Sequence, residues 1–102
     1  MTKVKPLLGR TGKPVANQYV IEAHNQKYSY EVFQSYDSSI VLKNLVTGTI
    51  FLDEKYWNYS VTTSKYRKQF LNESTQETQD KINNGDYTLV DLNTYLTNSY
   101  YS

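Results

Sequence analysis

Between Gln18 and Leu52 the chain repeats one pattern: a short alternating run, a turn signal, then another alternating run. Tyr19, Ile21 and Ala23 alternate with Val20, Glu22 and His24, and Asn25-Gln26 follows as a turn. Tyr28, Tyr30 and Val32 then share one face, with Ser29, Glu31 and Phe33 on the other. Ser35-Tyr36-Asp37-Ser38 breaks the pattern before a third run, Ser39 to Leu45. Val46-Thr47-Gly48-Thr49 reads as a hairpin turn into Ile50-Phe51-Leu52. A period of two marks strands with one face buried. Parallel neighbours need a crossover of about a dozen residues or more, so strands this close must pair antiparallel.

After Asp53 the period changes. Asp53 suits the cap of a turn that includes Glu54. Thr62 or Thr63 can cap a helix running to about Leu71, with Tyr66, Phe70 and Leu71 on its apolar face. Lys65 and Lys68, three apart, fall on another face. Ser74-Thr75-Gln76-Glu77 has the form of a capping box, in which the serine oxygen and the glutamate each close a free backbone N–H. The helix it opens ends near Asn83-Asn84, where Gly85 suits a left-handed stop. Thr88-x-x-Asp91 repeats the capping pattern, and the spacing of three and seven from Leu89 to Leu92 and Leu96 predicts a final amphipathic helix.

The expected fold is therefore α+β: an antiparallel sheet of three or four strands followed by two or three helices packed on one face. Residues 1–17 hold both prolines, Pro6 and Pro14, and two of the four glycines, Gly9 and Gly12. They read as a basic, flexible lead-in. Residues 18–97 form the single α+β domain, and residues 98–102 a frayed tail. The expected core comprises Val20, Ile21, Tyr30, Val32, Ile40, Leu42, Ile50, Leu52, Trp57, Tyr66, Phe70, Leu71, Leu89 and Leu92.

A chain of 102 residues supports one core. Eleven tyrosines extend a modest set of aliphatic residues. Each brings a large ring and a hydroxyl that wants a partner or water. Tyr28, Tyr30, Phe33 and Phe51 cannot all share one face. Aromatic surface is then left for a partner or a second copy, so the expected state is a monomer or a homodimer.

The net charge of +1 argues against a DNA mimic and against a non-specific DNA coater. Charge is nevertheless uneven: Lys3, Lys5, Arg10 and Lys13 lie in the first 13 residues, without an acid. Residues 73–91 hold Glu73, Glu77, Asp80, Asp86 and Asp91 against Lys81. There is no cysteine, so thiolate chemistry and disulfides are excluded. The N-terminus lacks the apolar core of a signal peptide, and no run reaches the ~18–20 apolar residues of a membrane span. The expected location is cytoplasmic, with no membrane contact.

No motif announces catalysis. His24 is the only histidine, so a transition-metal site lacks ligands. There is no nucleophile elbow, no P-loop and no dinucleotide fingerprint. The dispersed aspartates suit turns and caps. No cofactor and no metal are expected, and the protein reads as a non-enzyme. An enzyme acting on a small nucleotide would need a pocket with convergent polar groups, which the sequence does not announce.

The informative segment is Asp53 to Asn72, where Tyr56, Trp57, Tyr59, Tyr66 and Phe70 mix with Lys55, Lys65, Arg67 and Lys68. These aromatics either close a core between sheet and helix or form a stacking platform. Thr62-Thr63-Ser64 beside Lys65 and Arg67 reads either as simple N-capping or as an anion site. Tyr and Arg are the residue types that most often anchor interfaces. The candidate binding residues are Tyr56, Tyr59, Lys65, Arg67 and Lys68.

Three segments carry a resemblance: Ser35-Tyr36-Asp37-Ser38-x-Ile40; Leu52-Asp53-x-x-Tyr56-Trp57-x-Tyr59-Ser60-x-Thr62-Thr63-x-Lys65-Tyr66-Arg67-x-x-Phe70-Leu71; and Ile82-x-x-Gly85-x-Tyr87-x-Leu89-x-Asp91-Leu92-Asn93. Together they resemble a small domain family encoded mainly by bacteriophages. The resemblance covers most of the chain, from about Asn17 to Asn93, and brings no catalytic residues with it. It implies a phage accessory protein in the cytoplasm of a host bacterium. The expected function is non-enzymatic inhibition of a host defence protein or protein–nucleic acid complex, with CRISPR-Cas favoured as an anti-CRISPR target. The alternative is a nucleic-acid-binding accessory protein.

Overall fold

The computed structural model describes residues 2–99. The elements, in order, are β1 (Thr2–Leu8), β2 (Pro14–His24), β3 (Ser29–Ser35), β4 (Ser38–Asn44), β5 (Ile50–Asp53), α1 (Val61–Leu71), α2 (Thr75–Asn83), β6 (Tyr87–Val90) and α3 (Leu92–Ser99). The class is α+β. The sheet has six strands in the order β1-β2-β3-β4-β5-β6, so strand order follows chain order. The first five strands pair antiparallel, and β5 pairs with β6 in parallel. The expected sheet of three or four antiparallel strands is thus corrected to a larger, mixed one.

Both additional strands have a physical reason. Thr2–Leu8, expected as a loose lead-in, pairs with β2 from Thr2↔Ala23 through Leu8↔Pro14. Pro6 cannot donate a ladder hydrogen bond, but an edge strand has a side that needs none. Gly9 and Gly12 close the β1–β2 turn: Gly9 N–H donates to the Lys13 carbonyl at 2.8 Å, and Gly12 takes a φ of +80°. The second addition, β6, becomes parallel because residues 54–86 carry α1 and α2 as the crossover. At the other end, α3 continues through Ser99. Of the expected tail, residues 98 and 99 are helical, and residues 100–102 lie outside the described residues.

The helices cover both faces of the sheet, not one. Ile21, Ala23, Tyr30, Val32 and Leu42 pack with Leu92 and Leu96 of α3. On the opposite face Phe33, Val41, Leu52 and Tyr87 pack with Tyr66, Phe70 and Leu71 of α1 and Ile82 of α2. The two clusters follow the alternation of the strands. A β-bulge is the exception: Phe33 pairs with Val41 and Gln34 with Ser39, leaving Ile40 as the extra residue. Ile40 and Val41 therefore both join the α1 side. Tyr28 and Tyr30 lie with α3 and Phe33 with α1, so the rings divide between two faces as expected, but helices pack against both. Leu89, expected in the core, is 37% exposed on the edge strand β6.

One carboxylate ties the C-terminal elements to the sheet. Asp53, buried at the end of β5, accepts the backbone N–H groups of Lys55 and Tyr56 on Oδ2. Its Oδ1 accepts the Leu92 N–H at 3.0 Å and the Asn93 Nδ2 at 3.2 Å. Asn93 also reads both backbone groups of Ser39 beside the bulge. The start of α3 is thereby fixed to the ends of β4 and β5. This side-chain satisfaction of helix and turn N–H groups is the role the sequence assigns to Asp53, extended to a second element.

Candidate functional site

The segment from Asp53 to α1 is shaped by two caps. Asp53 holds the turn, and Ser60, rather than Thr62 or Thr63, caps α1 by accepting the Thr63 N–H at 3.1 Å. Thr63 is buried, and its hydroxyl lies 2.9 Å from that of Ser35 on β3. Ser64 donates to Asn58 Oδ1 at 2.9 Å. At the anion site considered at Thr62-Thr63-Ser64, the Thr63 and Ser64 hydroxyls are instead engaged in fixing α1 to the sheet and to the preceding turn, while Thr62 is exposed.

Arg67 corrects a second expectation. It is fully buried rather than offered to a partner. Its guanidinium carbon lies 5.1 Å from the centre of the Trp57 ring. Nη1 donates to the Trp57 carbonyl and to Asn58 Oδ1, and Nη2 donates to Thr75 Oγ1 at 2.6 Å. Arg67 thus joins the turn, α1 and the start of α2. Among the described residues it forms no salt bridge. Burial holds its pKa below the ordinary arginine value, and the field of Glu73 partly opposes that. Trp57 is half-buried beneath this contact, so it belongs to the framework and not to an exposed platform.

The other four candidates remain accessible to different degrees. Tyr56 is half-buried and meets Tyr59 edge-to-face, with ring centres 5.0 Å apart. Tyr59 is 49% exposed. Lys65 and Lys68 are both exposed on α1. They lie four and seven residues after Val61, which is 88% exposed, and Asn72 continues the same stripe at the C-cap. A helix presents residues at this spacing on one side. The outward side of α1 therefore reads Val61, Lys65, Lys68, Asn72, while Thr63, Arg67 and Phe70 face inward.

The structure adds two cations that the sequence analysis assigned to the lead-in, Arg10 and Lys13. The β1–β2 turn packs beside α1, with Gln69 Nε2 donating to the Leu8 carbonyl. Arg10 from this turn lines a groove of about 420 Å³ together with Lys65, Lys68, Gln69 and Asn72. An adjoining groove of about 520 Å³ holds Arg10, Lys13, Lys65, Tyr66 and Gln69. No carboxylate lines either groove. Lys68 also borders the depression formed by Asn58, Tyr59 and Val61. The site is a continuous basic surface from Lys13 to Lys68, ending at an exposed tyrosine. Its elements are far apart in sequence, and the signal for it was the acid-free run Lys3 to Lys13.

A partly buried ion pair lies apart from this surface. Glu73 pairs with Lys81 at 2.6 Å. Burial pushes the Glu73 carboxyl up, but hydrogen bonds involving Lys81, Tyr87 and Thr78 outweigh it and leave the pKa below its ordinary value. Among the described residues no group of His, Asp and Glu could hold a metal ion. No helix among them is long and apolar enough to cross a membrane.

A family model, described as a family of unknown function (DUF8033), matches residues 2–86, and the chain belongs to that family. No match is found among the curated proteins or among the solved structures.

Proposed function

We propose that this member of DUF8033 is a non-enzymatic binding protein that engages a defence complex of a phage-infected bacterium, with a CRISPR-Cas nucleoprotein as the first target to test. The observation that carries the binding role is the convergence of Arg10, Lys13, Lys65 and Lys68 around acid-free grooves beside the exposed Tyr59. Cations gathered on one surface attract an anionic partner and speed its approach. A tyrosine at the edge adds contact area with little conformational cost. The bacteriophage resemblance supplies the context of a defence complex.

The test is capture of host proteins by tagged protein in a defence-bearing strain, paired with phage plaquing. Lys65→Glu/Lys68→Glu serves as the matched control. A defence subunit captured by wild type and lost in the variant, with plaquing lost in parallel, supports the reading. Unchanged plaquing across several defence systems counts against it.

The acid-free lining also supports a second reading, direct binding of nucleic acid. Four neutralised phosphates imply a slope of about −3.6 in log K against log salt on duplex DNA. Binding that is absent at low salt, or independent of salt, removes this alternative.

A further inference from the structure

We infer that the basic surface of α1 takes single-stranded nucleic acid, whose bases stack on Tyr66 and Tyr59 at the two ends of a row of cations. The inference rests on the nucleic-acid reading above and narrows it to one kind of strand. Three depressions form the track. The groove that holds Lys13 and Tyr66 shares Arg10, Lys65 and Gln69 with the groove that holds Lys68 and Asn72. Lys68 is shared in turn with the depression beside Tyr59. The row therefore runs from Tyr66 past Arg10, Lys65 and Lys68 to Tyr59. No aspartate or glutamate lines any of the three depressions.

Two elements make the walls. The outward stripe of α1, from Val61 to Asn72, covers about 16 Å at the helical rise per residue, room for more than one nucleotide. The β1–β2 turn is the second wall and brings Arg10 and Lys13 beside Lys65. Gln69 ties that turn to α1 through the Leu8 carbonyl. A phosphate in the middle groove meets Arg10 from one wall and Lys65 and Lys68 from the other.

The chemistry of the walls selects the strand. The middle groove is lined by Arg10, Lys65, Lys68, Gln69 and Asn72, all polar. The groove at one end adds Pro14, Val15 and Tyr66, and the depression at the other adds Tyr59 and Val61. A duplex stacks its bases on one another and presents phosphates and base edges. Tyrosine rings between cations gain little from it. A single strand leaves base faces free, and aromatic rings set along a cationic groove stack on them. An acidic peptide would use the cations but leave both aromatic ends without flat partners.

Both rings are placed for this. Tyr66 is half-buried and packs against the core, and Lys65 Nζ lies 5.3 Å from its ring centre. An exposed cation–π contact is weak, so a phosphate that draws the ammonium away releases the ring face to a base. Tyr59 is 49% exposed, and its edge-to-face contact with Tyr56 limits its freedom before binding.

Fluorescence anisotropy tests the inference, with a labelled thymidine oligonucleotide of about 12 nucleotides and a duplex of the same length. The single strand should bind more tightly at matched salt. Its log K should fall with log salt at a slope of about −2.8, because each of four cations contributes about −0.7. Lys68→Ala should make that slope shallower by about 0.7. Tyr59→Ala and Tyr66→Leu should each weaken binding roughly 5- to 150-fold and leave the slope unchanged. Circular dichroism should show Tyr66→Leu folded, and the exposed Tyr59 carries the test without it. Lys27→Glu, at an exposed cation outside the track, should leave binding unchanged. Duplex binding at least as tight as the single strand, or a strand affinity that neither tyrosine variant changes, overturns this inference while the nucleic-acid reading stands. Binding of neither probe overturns both. Displacement by polyglutamate as readily as by unlabelled strand assigns the surface to acidic proteins and also overturns it.

Discussion

Arg67 lies 5.1 Å from the Trp57 ring and also donates a hydrogen bond to the Trp57 carbonyl. One side chain therefore holds both the ring and the backbone of the residue before it in the turn. The arrangement desolvates a cation without a carboxylate contact, a costly choice unless its hydrogen bonds are kept.

Arg67→Ala should destabilise the domain by about 3–5 kcal/mol, because it opens a cavity and orphans the Trp57 carbonyl. Arg67→Lys should also lose stability, since an ammonium cannot reproduce the planar fork that reaches Trp57, Asn58 and Thr75. Arg67→Met should lose less than Arg67→Ala by filling the space without a charge. Urea denaturation of the three variants checks the order.

Asp53→Ala should cost about 2–4 kcal/mol, through loss of hydrogen bonds to an acceptor that serves the turn and α3 together. Hydrogen exchange offers the sharper readout. Protection should fall at Tyr56 and at Leu92, although these residues belong to segments 36 positions apart in the chain.

Stability should depend on pH at both ends through one cluster. The Glu73 pKa is lowered from 4.5, so its contribution is present above pH 4.5 and is lost as pH falls through the folded value. Lys81 is raised from 10.5, first by its bond to Glu73 and then by Tyr87. Tyr87 is raised from 10.0, chiefly by burial and then by its bond to Glu73. Their contributions are present below those ordinary values and are lost as pH rises through the folded ones. Glu73→Gln should flatten the acid limb of a denaturation midpoint plotted against pH. An unchanged limb rejects this assignment.

Lys65→Glu/Lys68→Glu should change stability by no more than about 0.5 kcal/mol per site, the usual range for exposed positions. Lys65 lies 5.3 Å from the Tyr66 ring centre, an exposed cation–π contact that fits within that range. Thermal melts should nearly superimpose on wild type, so any loss of partner binding reports on the surface itself.

The sequence was most legible where a signal is local. The Ser74–Glu77 capping box forms with both of its bonds, and Gly85 takes the left-handed stop at φ +84°. The final helix is capped by Asp91, with Oδ1 accepting the Thr94 N–H at 3.4 Å, and not by Thr88, the first residue of the expected capping pattern. The same Thr88-x-x-Asp91 pattern concealed β6, whose pairing with β5 depends on residues across the crossover. Pro6 and two glycines concealed β1, because breakers read alike in a tail and in an edge hairpin. Lys65, Arg67 and Lys68 looked equivalent as charges. Their helical spacing separates them: Arg67 stands four residues after Thr63 and three before Phe70, on the inward stripe.

Strand order that follows chain order also sets a timetable for folding. The hairpins from β1 to β5 close over short loops, whereas β6 must reach β5 across residues 54–86. Closing the longer loop costs more entropy before its contacts form. A nucleus in β3 and β4 should therefore form first, with α3 docking late, when Leu92 reaches Asp53. Val41→Ala should slow folding, while Leu96→Ala should act mainly by accelerating unfolding. During synthesis the five-strand meander can assemble before the segment that locks it has left the ribosome.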